Sequence, residues 1–119
     1  MELNMEQQWN RLQDKLSKDF CVDAGLNGTL FLIGLQEREK GFQSFYSKEE
    51  KVDMINLATC KLLMKWDYFS ISGYDNDGWP IFEEKKNIPQ FSSETKRKLL
   101  KTAILEYFYD NGYLEKVDI

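Results

Sequence analysis

Tyr68-Phe69-Ser70-Ile71-Ser72-Gly73-Tyr74-Asp75-Asn76-Asp77-Gly78-Trp79-Pro80-Ile81-Phe82-Glu83 is where this chain leaves the helical period and alternates with period two. Asp75-Asn76-Asp77-Gly78 concentrates turn-forming residues between two β-prone runs, so residues 68–85 read as a β-hairpin. Pairing Tyr74 with Trp79 sets Ile71 against Phe82 and Phe69 against Glu84. In that register Phe69, Ile71, Pro80 and Phe82 share the core face, and Tyr68, Tyr74, Trp79 and Ile81 share the other. Pro80 has no amide hydrogen, which suits an edge strand. A slip of one residue would exchange the two faces.

The same turn admits a calcium reading. Counted as an EF-hand loop from Gly73, it places Asp75 third, Asp77 fifth, Gly78 sixth and Glu84 twelfth. The first position is then glycine and the ninth is Ile81, neither of which supplies a side-chain oxygen. Alternation on both sides also favours strands over the helices an EF-hand requires. The hairpin turn is the preferred reading, and no metal is expected.

Upstream of the hairpin, Ser47-Lys48-Glu49-Glu50 fits a capping box in which Ser47 caps and Glu50 reaches back. Val52, Ile55, Ala58, Leu62 and Trp66 then fall on one helical face, widened by Met54, Leu57 and Met64. Downstream, residues 86–91 read as a loop. Ser92 or Ser93 caps a last helix whose apolar side is Leu99, Leu100, Ala103, Ile104, Tyr107 and Phe108. Asn111-Gly112 ends it, and Tyr113-Leu114 is placed to fold back.

Further upstream, Gln36-Glu37-Arg38-Glu39-Lys40 closes a second helix, with Gly41 suited to the left-handed position beyond it. Its start is vaguer, with Asp23 or Asn27 as the cap. Gly34 inside this helix is read as a point of close helix–helix approach. Gly25, Gly28 and Gly34 match no phosphate-loop spacing. At the N-terminal side, Met5, Trp9, Leu12, Leu16 and Phe20 form the stripe of a helix over about 4–20. The expected fold is therefore α+β and mainly α. It is a compact bundle of about four helices with one β-hairpin between the third and fourth, and one domain over 1–119.

Composition narrows the chemistry. There is no histidine, which removes Ser-His, Cys-His and His-zinc sites. Cys21 and Cys60 are too few to close a thiolate metal site and read as reduced thiols. Sixteen basic residues face twenty acidic ones, for a net charge of −4, which weakens nonspecific attraction to phosphate backbones. Over 83–101 the balance reverses locally, with Lys85, Lys86, Lys96, Arg97, Lys98 and Lys101 against Glu83, Glu84 and Glu94. The bland reading of this patch is a solvated helix start. Met1-Glu2-Leu3-Asn4-Met5-Glu6 lacks a signal peptide's basic start and apolar core, and Leu30–Leu35 is too short to span a bilayer. A cytoplasmic address is expected.

Leu32-Ile33-Gly34-Leu35-Gln36-Glu37, then Lys48-Glu49-Glu50-Lys51-Val52-Asp53 and Cys60-Lys61-Leu62-Leu63, resembles a family of small uncharacterised bacterial proteins with no assigned function. Gly73-x-Asp75-x-Asp77-Gly78-Trp79-Pro80 is similar to the second part of that pattern. The resemblance implies a bacterial cytoplasmic protein and transfers no functional residues.

No catalytic residue is expected, and no cofactor. The leading expectation is a noncatalytic interaction or regulatory module with a protein partner or a second copy of itself. Tyr74, Trp79, Ile81 and Tyr68 are the candidate binding residues, because exposed aromatics at a hairpin tip suit an interface. An alternative is a winged-helix-like DNA-binding protein, with the hairpin as wing and the third helix reading bases. Glu49, Glu50 and Asp53 oppose that reading, and no specific nucleic acid is expected. A third is a small enzyme using carboxylates such as Glu37, Glu39, Glu49, Glu50 or Asp53 for acid–base work, which requires a desolvated pair that spacing alone does not reveal.

Overall fold

The structure, a computed structural model, describes residues 3–21, 24–38, 46–85 and 92–115. The chain is mainly α; the described residues form four α-helices and an antiparallel two-stranded hairpin after the third helix and before the fourth. Among the described residues, no helix is long and apolar enough to cross a membrane. The chain groups into two compact units, Met1–Gly28 with Phe91–Ile119, and Thr29–Gln90.

The first unit joins the two ends of the chain. Helix α1 (Met5–Phe20) starts at a capping box in which Asn4 Oδ1 accepts the Gln7 amide at 2.8 Å and Gln7 Oε1 accepts the Asn4 amide at 3.1 Å. This satisfies two amides that a helix start otherwise leaves orphaned. Trp9, Leu12 and Leu16 are buried, each leucine contributing about 1.5–3 kcal/mol of transfer free energy. Phe20, the last residue of the expected stripe, remains 50% exposed at the final turn, where Cys21 leaves the helix at φ 55°. Helix α4 (Ser93–Asp110) is capped by Ser92, whose Oγ accepts the Thr95 amide at 3.2 Å. It buries Ala103, Ile104, Leu105 and Phe108, and packs on α1.

Polar contacts fix that pairing. The Tyr109 hydroxyl donates to Gln8 Oε1 at 2.7 Å, and the Lys101 ammonium lies 5.1 Å from the centre of the Trp9 ring. Gly112, at φ 74°, turns the chain so that the Tyr113 and Leu114 amides return to the Phe108 carbonyl. Leu114 is buried, and the Tyr113 hydroxyl donates to Asp19 Oδ2 at 2.6 Å. Lys15 stands 3.6 Å from the same carboxylate and 4.7 Å from the centre of the Tyr113 ring.

Helix α2 (Gly25–Arg38) begins in the first unit and continues through the second. Gly25, at φ 63°, donates its amide to Gln13 Oε1, so the start is held by a side chain of α1. Asn27 lies inside the helix rather than at its cap; Asp23, Glu39, Gly41 and the whole 86–91 loop fall outside the described residues.

In the second unit, α2 crosses helix α3 (Lys48–Leu63) at Gly34. A Cβ at position 34 would fall on the Met54 carbonyl, so the close approach read from the sequence is present. Helix α3 starts at the expected box, with Ser47 Oγ accepting the Glu50 amide and Glu50 Oε1 accepting the Ser47 amide, both at 3.1 Å. Its buried stripe is Met54, Leu57, Ala58 and Leu62, rotated from the expected one; Val52 is 48% exposed. The contact at Gly34 accounts for the rotation, because it places α2 on the Met54 side. A 3₁₀ turn (Met64–Trp66) and Asp67, at φ 61°, lead into the hairpin.

Strand β1 (Phe69–Tyr74) pairs with β2 (Pro80–Glu84) in two registers. Phe69 faces Glu84 and Ile71 faces Phe82, as expected, but Tyr74 faces Pro80 and Gly73 faces Ile81. The turn supplies the reason. The Gly78 amide bonds the Asp75 carbonyl at 3.0 Å, the Asp75 amide bonds the Trp79 carbonyl at 2.9 Å, and Gly78 takes φ 84°. This is a three-residue loop closed by a left-handed glycine. It shortens the expected loop by one residue and shifts the register at the tip, and a bulge at Ser72 restores it further down.

Candidate functional site

The Ser47 cap fixes where α3 begins, and the helical period then sets Asp53, Asn56, Leu57 and Cys60 along one flank. Opposite them stands the hairpin tip. The Asp75 carboxylate organises that tip, its Oδ1 accepting the Asp77 and Trp79 amides, each at 2.9 Å. Because the Trp79 amide is held this way, Trp79 does not stand beside Tyr74 as the four-residue loop would have it. It borders an open groove of about 420 Å³ together with Asp75, Asp77, Pro80 and Phe82 from the hairpin and Asp53, Asn56, Leu57 and Cys60 from α3.

The groove combines an apolar bed of Trp79, Pro80, Phe82 and Leu57 with three carboxylates and neither lysine nor arginine. Asp53, Asp75 and Asp77 are exposed. Among the described residues no three or more histidine, cysteine, aspartate or glutamate side chains are grouped to hold a metal ion. Cys60 is half-buried, and burial pushes its thiol above the usual range, which leaves little of the nucleophilic thiolate at neutral pH. This arrangement can bind, through stacking, apolar contact and negative charge.

Of the four candidate binding residues, the groove takes only Trp79, which is half-buried. Tyr74, 65% exposed, lies across from Pro80, and Ile81, 48% exposed, lies across from Gly73. Tyr68 is half-buried just before β1, its carbonyl accepting the Lys85 amide at 2.9 Å. Sequence reasoning missed the α3 flank. The signal was present as Asp53, Asn56, Leu57 and Cys60, a polar-rich line at offsets of three, four and seven beside the apolar stripe.

The first unit holds a second cluster, Lys15, Asp19 and Tyr113. The Tyr113 hydrogen bond holds the Asp19 carboxyl below its ordinary value of 3.8, with Lys15 adding to the effect. Burial pushes the Tyr113 phenol up, and its bond to Asp19 pushes it further. These groups fasten the segment after α4 to α1. Comparison of the chain with protein-family models, with curated proteins and with solved structures finds no match.

Proposed function

We propose that this protein is a noncatalytic interaction module of the bacterial cytoplasm, holding a protein partner in the groove between α3 and the hairpin. The supporting observation is the Trp79, Pro80 and Phe82 bed beside Leu57, rimmed by polar side chains. An aromatic anchor inside a polar rim is the arrangement in which a few residues carry most of an interface's energy. Resemblance of the 32–37, 48–53, 60–63 and 73–80 segments to small bacterial proteins supports the address. The exposed Glu49 and Asp53 side chains at the start of α3 disfavour the winged-helix alternative, since that end would approach phosphates.

Affinity capture with the wild type and with Trp79→Ala tests this reading. A partner retained by the wild type, or self-association seen by sedimentation, should be lost in the variant. Its thermal stability should fall by less than the roughly 3–5 kcal/mol of an emptied core site, because Trp79 is half-buried. Equal retention by both proteins would refute the proposal.

A further inference from the structure

Resting on the reading of the groove as a binding surface, we propose that its occupant is an extended, arginine-bearing segment of a partner protein. Charge complementarity selects the class. Asp53, Asp75 and Asp77 line the groove with no cationic lining residue to balance them. Among the described residues, no hydrogen bond or ion pair engages the Asp53 or Asp77 carboxylate. Among the described residues, no three or more histidine, cysteine, aspartate or glutamate side chains are grouped to hold a metal ion, so these carboxylates do not select one.

Carboxylates beside an apolar bed match side chains that are themselves long, partly apolar and cationic. Arginine fits better than lysine. Its planar guanidinium stacks on an indole face such as that of Trp79 and presents a fork of donors to a carboxylate, whereas an ammonium is a compact, strongly hydrated charge. Arginines separated by apolar residues would let one part of the segment meet the rim and the other the bed of Trp79, Pro80 and Phe82.

The test uses the full chain and three labelled extended peptides in which leucine alternates with arginine, lysine or glutamate. Binding is read by fluorescence anisotropy at physiological ionic strength, and the Trp79 indole resonance by nuclear magnetic resonance. The arginine peptide should bind saturably, weaken with salt and move the Trp79 resonance. The lysine peptide should bind more weakly and the glutamate peptide not at all. Asp53→Asn and Asp77→Asn should each weaken arginine-peptide binding by about two- to fivefold, the range for an exposed ion pair. Both sites are exposed, so melting curves should match the wild type.

Equal binding of the arginine and glutamate peptides would overturn the inference, as would an unmoved Trp79 resonance or indifference to the double variant. A wild-type dimer split by that double variant would also overturn it, making a second copy the occupant. A natural partner lost with Trp79→Ala but kept by the Asp53→Asn, Asp77→Asn protein would remove the arginine inference and leave the interaction module standing.

Discussion

A methyl group added at position 34 would meet the backbone carbonyl of Met54, an atom that cannot rotate away as a flexible side chain does. Gly34→Ala should therefore destabilise the protein by about 1–3 kcal/mol, despite a gain of about 1 kcal/mol in helix propensity. Chemical denaturation measures this, and a stabilised variant would mean that α2 and α3 can part at no cost. The position was legible because glycine weakens a helix and so requires a reason. Its partner was not, because the rotation of α3 depends on contacts that a one-dimensional period does not encode. The two thiols differ at the same scale. Cys21 is exposed, whereas Cys60 is half-buried with its pKa raised. A thiol-alkylating reagent at neutral pH should modify Cys21 first, as peptide mass mapping would show; faster modification of Cys60 would contradict its burial.

Between residues and the whole chain, the hairpin shows what pattern reading captures and what it loses. Alternation located both strands and the register of Phe69 with Glu84 and Ile71 with Phe82. It lost the tip, because the loop length is decided by hydrogen bonds from one carboxylate rather than by hydropathy. Asp75→Ala removes the acceptor for two amides and should cost about 1–2 kcal/mol, with Asp75→Asn restoring most of it through the remaining amide oxygen. Hydrogen exchange at the Asp77 and Trp79 amides should quicken in the alanine variant and less in the asparagine one. The box at Ser47 and Glu50 was legible from residue types alone. The one at Asn4 and Gln7 follows the same logic with amides in place of hydroxyl and carboxylate.

Across the whole molecule, the fastening of the C-terminal segment makes stability depend on pH at both extremes. Asp19 has a folded pKa below its unfolded one, so its contribution is present above the ordinary carboxylate range and is lost as acidification protonates the folded carboxyl. Tyr113 has a folded pKa above its unfolded one. Its contribution is complete below about pH 10 and falls away as alkalinity ionises the phenol beside Asp19. Tyr113→Phe should flatten the alkaline fall in melting temperature, and ultraviolet titration of the tyrosines should lose a late-ionising member. An unchanged alkaline profile would place the dependence elsewhere. The first unit was not legible as a unit. Its halves lie at opposite ends of the sequence, so no shift in composition marks its edge.

That discontinuity orders events during synthesis. Residues 29–90 leave the ribosome as one uninterrupted segment that holds most of α2 and all of α3 and the hairpin. Of the described elements, helix α1 is translated before the others, yet the helix it packs against, α4, is translated after them. Until α4 appears, Trp9, Leu12 and Leu16 have no native α4 surface to meet, and α1 waits through the translation of most of the chain. An early helix is thus completed only by a late one, and the interval is one in which a chaperone would find an apolar stripe to hold.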